Sequence, residues 1–330
     1  MGLIRARSLV AAALAGLTAA LPAVADEPLY AKNLSPLAGL LGLPSQRDAA
    51  TGKRGSFALA LHSSVANQYV LDNNANEYLN LDGEILRFAL ELRYALSDNW
   101  DIQLEVPWLR HHGGELDGLI DDWHDLWNMP DGGRDRVPRD LLEYRYATPG
   151  LDFSLQDDAS GMGDISLSLS HAFYRSEDAV ASLALGYKFN TGDEDDFTGS
   201  GAGDAFIALR FSAGHLSGLP LAWHGHLGYL RAGDSDLLGR RLEQDLWFAG
   251  LAVDWQVTAP WSLLVQVDSH AAPMDSDIPA VGDSAFMLSL GARWRFARQW
   301  VVDFSLSEDI AVETAPDIML QASLRYRGSP

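Results

Sequence analysis

Hydrophobic and polar residues alternate with a period of two through most of this chain. Over residues 100–108, Trp100, Ile102, Leu104, Val106 and Trp108 are separated by Asp101, Gln103, Glu105 and Pro107. A strand turns successive side chains to opposite faces, so this run has one apolar and one polar face. The same alternation runs through residues 86–94, 183–189, 286–296 and 300–306. About twelve such runs are legible, each roughly ten to sixteen residues long. They lie near 56–69, 83–97, 99–110, 161–175, 179–190, 203–216, 220–231, 243–257, 260–271, 282–297, 299–309 and 315–327. Strands of globular proteins usually have about five or six residues, whereas a tilted strand that crosses a bilayer needs about nine to eleven. Length therefore favours membrane-crossing strands.

The connections alternate in size. Tight turns fall at 97–99, 176–178, 217–220, 258–260 and 297–299. The connections near 70–82, 111–160, 191–202, 232–242, 272–281 and 310–314 are mostly longer, and most are acidic or Gly-rich. Short turns on one side and long loops on the other is the layout of an outer-membrane barrel. An even strand number returns both termini to the periplasmic side. Eight of the ten tryptophans fall in the predicted strands, and all eight take the apolar parity. Most lie near a strand end, where an aromatic girdle meets the headgroups. The expected fold is all-β: a transmembrane antiparallel β-barrel of about twelve strands, closed because every backbone group within lipid must be paired internally.

Composition narrows the context. The chain has 330 residues, is 47% hydrophobic and has no cysteine. Disulfide frameworks and thiolate chemistry are excluded. With 24 basic and 45 acidic residues the formal charge is −21, the wrong sign for a nucleic-acid partner. At the start, Arg5 and Arg7 precede an apolar run over 9–21 and an Ala23-Val24-Ala25 cleavage pattern. Residues 1–25 therefore read as a secretory signal peptide. Residues 26–54 contain Pro28, Pro36 and Pro44 with Leu34, Leu37, Leu40, Leu41 and Leu43, and have no strand pattern. They are expected to be a periplasmic segment or a small plug, with the barrel spanning 55–330. The implied location is the outer membrane of a Gram-negative bacterium. Outer-membrane lipid, lipopolysaccharide and the barrel-assembly machinery are the implied partners, with a small solute as a further one.

The longest connection has a pattern of its own. Leu116, Leu119, Ile120, Trp123, Leu126 and Trp127 recur at helical spacing, with Glu115, Asp117, Asp121, Asp122 and Asp125 on the other face. An amphipathic helix of about three turns is predicted in this extracellular loop, stopped at Pro130. The stretch that follows reads Pro130-Asp131-Gly132-Gly133-Arg134-Asp135-Arg136-Val137-Pro138-Arg139. This P-D-G-G-R…P-R loop, set between barrel strands, resembles a domain-of-unknown-function family of Gram-negative outer-membrane β-barrel proteins. The resemblance spans most of the mature chain. It implies location and fold, and no assigned activity comes with it.

Candidate chemistry lies in the lumen and the loops. By parity Arg87, Glu91, Arg93, Asp101, Glu105, Arg293, Arg295, Asp303 and Arg325 point inward, as pore-lining or solute-binding groups. In the long loop Trp123, Trp127, Arg134, Arg136 and Arg139 are the candidates, for an anionic solute or for pairing with the acidic helix. No metal site is expected: His224 and His226 are only two ligands, and Asp193 to Asp196 read as a solvated loop. No catalytic set emerges either, because alternation puts Ser269 and His270 on opposite faces. No cofactor is implied. The expected function is a channel or binding barrel for a small polar or amphipathic solute. The alternatives are a lipid-modifying barrel enzyme and a structural or surface-interaction barrel with a filled lumen.

Overall fold

A computed structural model of the chain describes residues 26–114, 141–214, 219–310 and 313–329. Among the described residues fifteen strands form one antiparallel sheet: β1 (Phe57–Asn73), β2 (Tyr78–Ser97), β3 (Trp100–His112), β4 (Glu143–Thr148), β5 (Leu151–Leu155), β6 (Ala159–Met162), β7 (Ser166–Arg175), β8 (Ala179–Lys188), β9 (Asp204–Ala213), β10 (Leu221–Arg231), β11 (Asp245–Gln256), β12 (Trp261–His270), β13 (Ala285–Ala297), β14 (Trp300–Asp309) and β15 (Ile318–Gly328). Strands β1–β3 and β7–β15 follow one another around a ring. Pairing of β15 with β1 closes it into a twelve-stranded barrel. Closure leaves the twelve-strand ring without an open edge, as hydrocarbon requires, and the edges of the sheet fall at β5 and β6, outside the ring.

The alternation read from the sequence is the alternation of the wall. Leu90, Leu185, Leu263 and Phe304 are exposed on the outer face, while Glu91, Ser182, Ser262 and Asp303 are buried inside. Aromatic residues gather at the short-turn end. Trp261 stacks on Trp294 with ring centroids 5.6 Å apart, and Trp300 lies 4.9 Å from Tyr326. Both pairs sit on neighbouring strands where such rings reach each other across a ladder.

Three boundaries differ from the sequence reading. Residues 70–82 were expected to be a loop. Instead β1 and β2 continue as a ladder, Asn73 opposite Tyr78, beyond the height of their neighbours. The polar composition of this stretch hides three buried apolar positions, Val70, Leu79 and Leu81. The strand expected from residue 161 begins at Ser166, with β6 a separate short strand on β3. Part of the connection 111–160 is itself sheet: β4 pairs with the outer end of β2, and β5 returns along β4. The predicted helix, the P-D-G-G-R…P-R stretch and residues 1–25 lie outside the described residues.

Residues 26–54 run inside the barrel. Asp26 and Glu27 lie at the short-turn end, against Arg295 and Arg93. Leu29 and Tyr30 are at mid-height, beside Gln266 and Glu105. A 3-10 turn, Ala38–Leu40, lies near the long-loop end, and the chain then descends. Gly42 meets Asp204, Gln46 meets Asp268, Ala49 meets Ser212 and Thr51 meets Asp98, each a step nearer the start of β1. The segment is thus a hairpin-like insert in the lumen. Two wall glycines make room for it. A Cβ on Gly291 would stand 2.7 Å from Leu29 Cδ2, and one on Gly250 2.3 Å from Gln46 Nε2. At the long-loop end Leu37, Leu40 and Leu41 join Leu79, Leu81, Tyr144, Phe197, Leu238 and Val281 in one apolar core that closes the barrel.

Candidate functional site

The nine inward residues named from the sequence all lie on the luminal face, and the insert gathers them into two networks. The first is on β2 and β3. Arg87 donates to Glu105 at 2.7 Å. Arg93 Nε donates to Asp101 Oδ2 at 2.7 Å, its second nitrogen to Glu27 at 2.7 Å and its third to the carbonyl of Ala50 at 2.5 Å. Arg93 therefore holds both the ascending and the descending limb of the insert. Glu91 is engaged by Arg47 of the insert. At the centre stands Tyr30. Its ring stacks on His62 with centroids 3.8 Å apart, and its hydroxyl donates to Glu105 at 2.9 Å and accepts from Arg87 at 2.5 Å. The guanidinium groups of Arg47 and Arg87 lie 5.3 and 5.6 Å from the same ring centroid, close enough for a cation–π attraction.

The second network is on β11 and β13–β15. Arg293 donates to Asp303 at 2.7 Å and Asp254 at 2.6 Å, and Arg325 pairs with Asp303 at 2.5 Å. Arg295 donates to Asp26 at 2.6 Å, and Arg327 lies 3.0 Å from the same carboxylate. Arg293 also donates to the carbonyl of Glu27. Asp26 and Glu27 thus tie the two networks together. Burial would raise their carboxyls, but Arg293 and Arg327 around Asp26, and Arg93 and Arg47 around Glu27, hold both well below the ordinary carboxylate range. Asp48 behaves oppositely. Burial, and the charge of Glu27 nearby, push it up to about 6.

The two ends of the lumen differ. At the short-turn end a vestibule of about 720 Å³ is lined by Glu27, Asp48, Arg93, Asp101, Lys53 and Arg327. At the long-loop end the apolar core is overlaid by polar clasps. Glu77 accepts from Tyr146 at 2.5 Å, from Asn74 at 3.0 Å and from the Asp277 amide at 2.9 Å. Burial alone would raise Glu77, yet these hydrogen bonds bring it down to about 2. Lys188 joins Asp164 at 2.7 Å, Asp204 at 3.1 Å and the Leu40 carbonyl at 2.9 Å, fastening the insert to the rim.

The remaining sequence candidates fall apart or lie elsewhere. Trp123, Trp127, Arg134, Arg136 and Arg139 are outside the described residues. His224 and His226 are luminal, but His224 bonds Ser212 and His226 packs on Phe248. Ser269 donates to Ala285 while His270 turns inward to Asn33, so the two do not form a pair. Sequence reasoning missed Asp26, Glu27, Tyr30, Lys32, Arg47 and Asp48, because the insert has no periodicity to mark which side chains face the wall.

The comparisons agree with this architecture. A family model matches residues 6–327. The chain belongs to that family, described as Protein of unknown function (DUF3187). This is the kind of family that the Pro130–Arg139 stretch resembles. Among solved structures, an outer membrane channel from Pseudomonas putida F1 is similar over 85% of this chain and 98% of its own, with 14% identity and a TM-score of 0.57. The NanC porin is similar over 82% and 100%, with 6% identity and a TM-score of 0.47. No curated protein matches this sequence. The likeness to the Pseudomonas protein shows the fold: this family member is a closed antiparallel β-barrel of the outer-membrane type.

Proposed function

We propose that this protein is a channel-type barrel of the Gram-negative outer membrane for a small polar or amphipathic solute, with residues 26–54 as its built-in plug. In this reading residues 1–25 direct export, the short-turn end faces the periplasm and the long loops face outward among lipopolysaccharide. The observation that carries it is the occupant of the lumen. The wall presents a charged interior of the kind that lines a pore. What fills it is a separate strand-free segment, held in its lower half by hydrogen bonds and ion pairs that water can replace. The vestibule gives a solute a charged antechamber on the periplasmic side. The fold shared with an outer membrane channel supports the same reading.

A barrel with a permanently filled lumen is the second reading, favoured by the apolar closure at the long-loop end. Planar-bilayer recording separates the two. The refolded mature chain is compared with a variant lacking residues 29–52. A steady, larger conductance in the shortened chain, with brief openings in the full chain, is the expected result. Silence in both, with insertion shown by heat-modifiable migration, would overturn the channel reading and leave the structural one.

A further inference from the structure

The middle of the lumen contains a buried charge with no ion pair among the described residues. Five arginines are buried among the described residues: Arg47, Arg87, Arg210, Arg293 and Arg325. Four of them pair with carboxylates: Arg47 with Glu91, Arg87 with Glu105, and Arg293 and Arg325 with Asp303. Arg210 makes no ion pair among the described residues. It lies on β9, opposite Ser182 of β8 and His226 of β10, and is 3% exposed. One terminal nitrogen reaches Ser170 Oγ at 3.3 Å, and Nε has no hydrogen-bond partner. A buried guanidinium left in this state is costly, so a counter-charge at this place would be strongly favoured.

Beside Arg210 is a cavity of about 30 Å³. Arg210, Arg47 and Lys32 line it together with Ser45, Ser166 and Ser168. Glu105 borders it too, but that carboxylate is already engaged by Arg87 at 2.7 Å, Tyr30 at 2.9 Å and Lys32 at 3.6 Å. Around the cavity Arg47, Arg87 and Lys32 pair with Glu91 and Glu105, while Asp101 and Glu27 act on Arg210 without an ion pair. Among the described residues Arg210 is therefore the buried arginine with no directly paired carboxylate, inside a chain whose formal charge is −21. Burial, with Arg87 and Arg47 close by, holds the Lys32 ammonium below the ordinary lysine range against the pull of Glu105.

We infer that this waist of the lumen binds one small monoanion, either a halide ion or the carboxylate head of a small organic acid. The volume sets the class. A cavity needs about 10–15 Å³ to hold one water, so this one takes a single small ion and excludes a sugar or a phosphate ester. Arg210, Arg47 and Lys32 can only donate toward it and the serine hydroxyls can turn to donate, while the Glu105 carboxylate at its border is already engaged, which suits an anion better than a metal cation. Gly42, Pro44 and Ser45 of the insert close one side and the β3, β7 and β9 wall closes the other. The bound anion therefore lies between the insert and the barrel and favours the docked insert. This holds whether or not the barrel conducts.

Crystals of the refolded mature chain soaked in bromide test it by anomalous scattering. A bromide peak within hydrogen-bonding reach of Arg210 and Ser168 is expected, and Arg210→Gln should abolish it. In detergent, the midpoint of heat-modifiable unfolding should rise by a few degrees in chloride, bromide or acetate over a bulky sulfonate at equal ionic strength. A rise in halide alone assigns the halide, and a rise in acetate alone assigns the carboxylate head. Arg210→Lys, which keeps the charge, should retain part of the rise. If Arg210→Gln does not refold, Ser168→Ala should raise the half-saturating bromide concentration severalfold. A wild-type chain with no peak and equal midpoints in every anion, or a peak unchanged in Arg210→Gln, would overturn the inference.

Discussion

Arg93→Gln is the most informative single change, because one side chain holds both limbs of the insert. The guanidinium makes three charge-assisted contacts, and two of them, to Glu27 at 2.7 Å and to the Ala50 carbonyl at 2.5 Å, cross from wall to insert. Hydrogen bonds to charged groups contribute about 1.5–3 kcal/mol each. Two of them give about 3–6 kcal/mol before water at the vestibule replaces part of the loss, so about 2–4 kcal/mol of docking should disappear. That is about a 30- to 900-fold rise in the undocked population. The chain has no cysteine, so Ser35→Cys, at a position 2% exposed, is a clean reporter. When redocking is fast, the rate of maleimide labelling follows the undocked fraction. Arg93→Gln should raise that rate by at least thirtyfold, and Arg93→Lys should give a smaller rise. A rate within threefold of the parent would refute the assignment of Arg93 as the clamp.

Four further outcomes follow from the same contacts. Gly291→Val places a side chain against Leu29 and the Phe304 carbonyl; it should destabilise the docked insert by about 1–3 kcal/mol and speed Ser35→Cys labelling. Tyr30→Phe removes the hydroxyl shared by Glu105 and Arg87, a loss of about 1–3 kcal/mol, and labelling should again rise while barrel folding on a gel is unchanged. Asp48 titrates near 6 when docked and near 3.8 when free. Its contribution to docking is therefore full below about 3.8 and lost as pH rises through 6. Asp48→Asn should accordingly label more slowly than the parent at pH 7.5, and the gap should narrow as pH falls, closing only near the ordinary aspartate range, equal rates at pH 7.5 being the contrary result. Glu77, held near 2, contributes at pH values above the ordinary carboxylate range and loses its contribution only as pH falls toward 2, so the rate of proteolysis at the β1–β2 turn should be unchanged between pH 7 and pH 4.

The wall was legible in the sequence because its physics is local. A period of two marks which side chains meet lipid, and the tight turns between runs mark where the chain reverses. Parity alone put Arg87, Arg293 and Asp303 inside. The insert was not legible for the opposite reason. Leu29 and Gln266 bond across 237 positions, and Gly42 and Asp204 across 162, so neighbouring residues of the segment answer to distant strands and no period develops. A trace was present nonetheless: Gly250 and Gly291 interrupt strands on the luminal parity, where a missing side chain marks close approach of another backbone or side chain. The outer extension of β1 and β2 was missed because Asp72, Asn73, Asn74 and Asn76 have turn chemistry, while Leu79 and Leu81 bury against parts of the loops that only the fold brings together.

The two halves of the insert are secured by different forces, and this decides what can release it. Below mid-height the contacts are ionic and adjoin a wet vestibule. Above it Leu37, Leu40 and Leu41 are buried at 0%, 5% and 5% exposure among apolar groups. Burying one such leucine contributes about 1.5–3 kcal/mol, so the three together contribute about 5–9 kcal/mol, more than the Arg93 clamp. Salt entering the vestibule weakens these partly buried ion pairs, and it leaves buried apolar contacts intact or slightly strengthened. Raising salt from 0.1 to 1 M should therefore loosen the lower limb without ejecting the segment. Leu37→Ala, which opens a cavity worth about 2–5 kcal/mol, should do more than high salt to expose Ser35→Cys. Labelling in 1 M salt that matches or exceeds that of Leu37→Ala would mean that the ionic half alone is the latch, and the apolar closure would then be a lid that follows it.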